Sequence, residues 1–81
     1  MYVINPELVV REDDKTLFSL EDMQIIEFNE IGFECIRILE REHITSCDEF
    51  IEKSRNLPDI SVSDIKEFWD SLLDSKIVVR L

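Results

Sequence analysis

The sequence predicts an α+β fold in which a three-stranded antiparallel sheet is followed by three helices and a short C-terminal strand. Three observations predict it. Apolar residues alternate with polar ones through the first third of the chain, the period changes to a helical one at Asn29, and Ser46 and Ser61 each open a further apolar stripe. With 81 residues, 44% of them hydrophobic, the chain holds one domain spanning 1–81 with a single core.

The first strand is read at Leu8-Val9-Val10-Arg11-Glu12, which is rich in β-branched residues and ends on the acidic turn Asp13-Asp14. The second is Thr16-Leu17-Phe18-Ser19-Leu20, with Thr16, Phe18 and Leu20 on one side and Leu17 and Ser19 on the other. Glu21-Asp22-Met23 makes another turn. Gln24-Ile25-Ile26-Glu27-Phe28 is the third strand, with Gln24, Ile26 and Phe28 on one face. In such a meander the first and third strands are edges, and neither has an internal proline to block further pairing.

Asn29 is a helix N-cap, Glu30 puts negative charge in the first turn, and Ile31, Cys35, Ile38 and Leu39 form the stripe of a helix ending near His43. Ile36 widens that face, whereas Phe33 lies well off it. Ser46-Cys47-Asp48-Glu49 has capping-box spacing and opens a second helix that turns Phe50 and Ile51 inward. Ser61-Val62-Ser63-Asp64 opens a third, whose stripe of Ile65, Phe68, Trp69, Leu72 and Leu73 spans roughly 140°, beyond the minimum of about 100° for a core-facing helix. Phe68 and Leu73 stand at its margins. Ile77-Val78-Val79 then reads as a terminal strand that either extends the sheet or packs beneath it.

Composition narrows the function. Nineteen acids against nine bases give a net charge of −10, which repels a phosphate backbone and argues against nucleic acid as a partner. Apolar runs are too short to span a membrane, the N-terminus lacks the marks of a signal peptide, and the two cysteines, Cys35 and Cys47, supply no disulfide framework. A cytoplasmic protein with reduced thiols is expected.

Chemistry-bearing residues are sparse. His43, the only histidine, falls at a helix end, where solvent or a capping role suits it. Cys35 lies on an apolar stripe and reads as a small buried hydrophobe. Cys47 lies in a helix's first turn, where a thiol pKa can fall, but no histidine or second cysteine adjoins it. No Cys/His set fits zinc or iron–sulfur, the acidic turns lack a calcium-loop pattern, and Gly32 alone cannot make a phosphate cradle, so no metal or cofactor is expected. Gly32 is read as permitting close packing of the first helix. The chain is not expected to be an enzyme.

The order of elements is compatible with a small winged helix-turn-helix domain. Three stretches resemble the PqqD-like family, the recognition elements for precursors of ribosomally synthesised and post-translationally modified peptides. Asn5-Pro6-Glu7-Leu8-Val9-Val10-Arg11-Glu12 resembles its opening strand. Phe28-Asn29-Glu30-Ile31-Gly32, continuing to Leu39, resembles its L-N-E-x-G-x-x-I-W-x-L-L signature, and Val62 to Leu73 resembles its D-V-x-x-F-L-x-x-L segment. The chain departs from the pattern in having no glycine at Glu21-Asp22-Met23, at Glu40-Arg41-Glu42 or at Ser75-Lys76, and Ile36 stands where an aromatic is common.

The resemblance implies a stand-alone, non-catalytic module that takes the leader of a precursor peptide as an added antiparallel strand and presents it to a modifying enzyme, such as a radical-SAM maturase or a leader peptidase. It assigns the pairing edge to Gln24, Ile25, Ile26, Glu27 and Phe28 and the wall of the cleft to Ile65, Phe68, Trp69 and Leu72. On that reading a proline at Ile26 weakens peptide binding, and Phe68→Ala or Trp69→Ala lowers affinity without unfolding. Open sheet edges also allow pairing as a homodimer. The alternative is a winged-helix regulatory or protein-interaction module, whose contacts with phosphate would weaken steeply with salt.

Overall fold

The computed structural model describes residues 1–58 and 60–81. In chain order the elements are β1 (Tyr2–Ile4), β2 (Leu8–Arg11), β3 (Thr16–Ser19), β4 (Gln24–Glu27), α1 (Glu30–Arg41), α2 (Cys47–Ser54), α3 (Val62–Asp74) and β5 (Val78–Arg80). Strands β2, β3 and β4 form the expected antiparallel meander, with Leu17 between Val10 and Ile26 and Phe18 between Val9 and Ile25. The inner face places Leu17 in the core. The outer face leaves Val9 and Ile25 exposed on either side of Phe18.

Two strand assignments differ from the sequence reading. Tyr2–Ile4 is a strand, and β5 pairs with it in a separate two-stranded sheet instead of joining the meander. Asn5 separates the two sheets. Its N–H donates to the Ile77 carbonyl, its Nδ2 donates to the Lys76 carbonyl, and its Oδ1 accepts from the Glu7 N–H. The chain therefore leaves one sheet and enters the other across a hydrogen-bonded corner that closes its two ends together.

Helix starts follow the local signals. The Asn29 carboxamide accepts the Gly32 N–H at 2.7 Å, and at α3 Ser61 and Asp64 make both halves of a capping box. At α2 only half of the box forms: Ser46 Oγ accepts the Glu49 N–H, whereas the Glu49 carboxylate accepts the Thr45 hydroxyl. Helix α1 stops at Arg41, so His43 lies beyond it and is exposed. Phe33, off the predicted stripe, is buried because α1 packs against both β1 and α2 and so buries more than one face.

The core gathers around Trp69. Its ring meets Tyr2 edge-on at 5.0 Å and Phe50 at 4.9 Å, so the centre of α3 is covered by β1 and α2 together. No helix among the described residues is long and apolar enough to cross a membrane.

Two of the glycine-free connections reach a left-handed backbone with ordinary side chains. Met23 has φ 55° and Lys76 has φ 62°, and Lys15 in the first turn has φ 58°. At Lys76 the cause is the end of α3: its N–H bonds to the Leu73 carbonyl and the Ile77 N–H to the Leu72 carbonyl. That double closure requires a left-handed residue between the helix and the next strand.

Candidate functional site: the open edge of β4

Which main-chain groups of β4 point outward follows from the register. The Leu20 N–H donates to the Glu7 carbonyl, one step beyond the pair Leu8 and Ser19. Hydrogen-bonded and non-bonded pairs alternate along an antiparallel ladder, so Phe18 bonds to Val9 on β2 while Leu17 and Ser19 bond to Ile26 and Gln24 on β4. The N–H and C=O groups of Ile25 and Glu27 consequently face away from β3. Among the described residues no main-chain partner meets them.

This refines the expected pairing edge and corrects one part of it. Gln24 and Ile26 belong to the pairing run by position, but their main chains are already engaged with β3, so a proline at Ile26 would break the protein's own ladder. Within β4, Ile25 and Glu27 are the residues whose main-chain groups are free of partners among the described residues. Their side chains, with that of Gln24, are exposed, whereas Ile26 and Phe28 are half-buried.

The main chains of β4 and α3 barely approach one another, and side chains define the space between them. A cleft of about 400 Å³ opens at the end of β4, lined by Glu27, Phe28, Ile31, Ile60, Asp64 and Phe68. The rings of Phe28 and Phe68 meet across it, edge to face, with centroids 6.1 Å apart. A second cleft of about 200 Å³ lies at the other end of the strand, where Gln24 and Ile26 face Glu7, Glu21, Asp22 and Lys76. Helix α3 contributes Asp64 and Phe68 to the first cleft, and Ser75, Lys76 and Ile77, which follow it, line the second.

The helix wall is narrower than the four residues assigned to it. Ile65, Trp69 and Leu72 are at most 3% exposed and belong to the core, so they present no surface to a guest; Phe68 alone remains half-buried. Phe68 stands at the margin of the stripe and the other three nearer its centre, and Tyr2, which closes over Trp69, belongs to a strand that the sequence reading missed. Asp64 and Ile60, which line the cleft, were not picked out as site residues. A cleft-facing role for them depends on how the chain enters α3.

The charge around this edge is one-sided. Ion pairs within the chain join Arg11 to Asp14, Lys15 to Glu30, Arg37 to Glu12 and Glu34, Lys53 to Glu42, and Arg55 to Glu52. Glu7, Glu21, Asp22 and Glu27, the carboxylates that flank β4, take part in none of the ion pairs among the described residues. The Lys15 ammonium, 2.9 Å from Glu30, holds that carboxyl below its usual range by hydrogen bond and by charge.

The thiols are set up for packing. Burial pushes the Cys35 pKa up, against a lowering contact from the Ser54 hydroxyl. Ser54 Oγ is itself fully enclosed and has no bond of good geometry, so the thiol is at most a weak partner for it. At Cys47 burial, then Asp48 and Asp70, raise the pKa despite the helix start, with Lys66 opposing them. Gly32 also has a different use from the one expected. A Cβ there would come within 3.0 Å of Asn29 Oδ1, so the glycine makes room for the cap that begins α1.

No protein-family model, curated protein or solved structure shows a significant match to this chain.

Proposed function

We propose that this domain binds an extended peptide as an additional antiparallel strand on β4, and that the peptide is the leader region of a ribosomally made precursor. The domain holds it for a modifying enzyme, a radical-SAM maturase or a leader peptidase, and catalyses nothing itself. One observation carries this reading: the outward main-chain groups of Ile25 and Glu27 lie beside a cleft walled by Phe68. Main-chain hydrogen bonds supply affinity in such an arrangement, and a side-chain pocket next to the edge supplies selectivity.

The resemblance to PqqD-like recognition elements supports the choice of a leader peptide over other extended segments. The order of strands and helices further supports a winged helix-turn-helix-like arrangement, in which the surplus of acids turns recognition from nucleic acid toward polypeptide. The test is amide hydrogen exchange with and without a precursor peptide encoded beside the gene. Slowed exchange at Ile25 and Glu27 supports strand addition; unchanged exchange at both amides with peptide bound refutes it.

A further inference from the structure

We infer that the segment accepted by β4 is cationic, with basic side chains at two positions dictated by the register, opposite Glu27 and opposite Gln24. The inference rests on the strand-addition reading and adds the charge class and the residue pattern of the guest.

The pattern follows from the sheet. Guest residues that bond to Ile25 and Glu27 share the outer face with them, and those between turn toward α3. On the outer face one cross-strand row reads Arg11, Thr16, Glu27 and the next reads Val9, Phe18, Ile25. Arg11 is held by Asp14 at 3.4 Å and stands two strands from Glu27, so the neighbour able to answer the Glu27 carboxylate is the guest residue opposite it. The residue opposite Ile25 continues an apolar or β-branched row.

On the inner face the position beyond Glu27 enters the cleft of Phe28 and Phe68, which suits an apolar side chain. At the other end the guest passes Gln24, where Glu7, Glu21 and Asp22 are opposed by Lys76 alone in the lining of that cleft. A base fits there. An antiparallel guest read from its N-terminal side therefore runs apolar, basic, apolar, β-branched, basic. The net charge of −10 adds a steering field of the same sign as these local contacts.

The test uses two short labelled synthetic peptides that share a frame, one centred on Leu-Lys-Val-Thr-Lys and the other on Leu-Glu-Val-Thr-Glu. Binding is followed by fluorescence anisotropy at low and high salt, together with amide exchange of the protein. The lysine peptide should bind about tenfold more tightly at low salt, as two rim ion pairs changing sign would give. The gap should shrink at high salt and on combining Glu27→Gln with Asp22→Asn, while the Ile25 and Glu27 amides become protected. Equal or tighter binding of the glutamate peptide, with those amides protected, overturns the cationic guest and leaves strand addition standing. Tighter lysine binding without that protection also overturns it, as unspecific attraction. If neither peptide protects the two amides, strand addition by such segments fails, and this inference with it.

Discussion

Phe28, the residue after β4, and Phe68 of α3 meet edge to face with ring centroids 6.1 Å apart. Both rings are half-buried, so each contributes to the fold and to the cleft wall at once. One helical position along, Trp69 is enclosed between Tyr2 and Phe50 and contributes to the fold alone.

Phe68→Ala should therefore cost about 2 kcal/mol of stability and leave a folded protein with a widened cleft and weakened peptide binding. Trp69→Ala should cost about 3–5 kcal/mol, enough to unfold much of so small a domain. Urea unfolding followed by circular dichroism separates the two. Equal losses would mean that Phe68 is as much core as its neighbour.

Proline scanning of β4 should follow the alternation of its main chain. Ile25→Pro removes an N–H that faces away from β3, so the fold should persist while binding of an added strand falls by more than about tenfold. Ile26→Pro removes a bond to Leu17 and should destabilise the sheet by about 2–3 kcal/mol. Calorimetric titration of each folded variant, beside its thermal unfolding, reads both effects.

Lys76→Gly should stabilise. The residue is held left-handed by the closure of α3, a conformation that costs a side-chain-bearing residue about 1 kcal/mol or more and costs glycine little. After allowing for glycine's greater freedom when unfolded, a net gain of about 0.5–1 kcal/mol is expected, or roughly 3–6 °C in Tm. A lower Tm would mean that the lysine side chain makes a compensating contact.

Asn5→Ala should cost about 2 kcal/mol, because three hydrogen bonds at the corner between the sheets include two made by this side chain. Asn5→Asp keeps the acceptor for the Glu7 N–H and loses the donor to the Lys76 carbonyl, so it should fall between the wild type and the alanine variant. Thermal unfolding of the three proteins checks the order.

Alkylation by iodoacetamide should be slow for both cysteines at neutral pH, since each thiol is held protonated above its usual range. A thiol whose folded pKa exceeds its unfolded value contributes stability that is complete below the unfolded pKa and is lost as pH rises through the folded one. Stability should accordingly decline on the alkaline side of the thiol range, and a Cys35→Ala, Cys47→Ala pair should reduce that decline. Half-exposed Cys47 should react before Cys35, which is enclosed until the protein unfolds. Mass spectrometry of the labelled protein gives the order.

Much of this architecture was written in short stretches of chain. Period-two alternation located β2, β3 and β4, Asn29, Ser46 and Ser61 marked the helix starts, and the stripe behind Ser61 placed Phe68 and Leu73 at the margins where the structure leaves them half-buried. These are local features, decided by backbone sterics and by hydrogen bonds within a few residues. Tertiary structure decided the rest. Tyr2–Ile4 is a strand because β5, from the far end of the chain, lies beside it, and that pairing is also what buries Trp69 under Tyr2. Alternation divides β4 into two faces, but the outward direction of the Ile25 and Glu27 amides depends on which residues of β3 stand opposite. Register is a relation between two strands, and neither strand carries it alone.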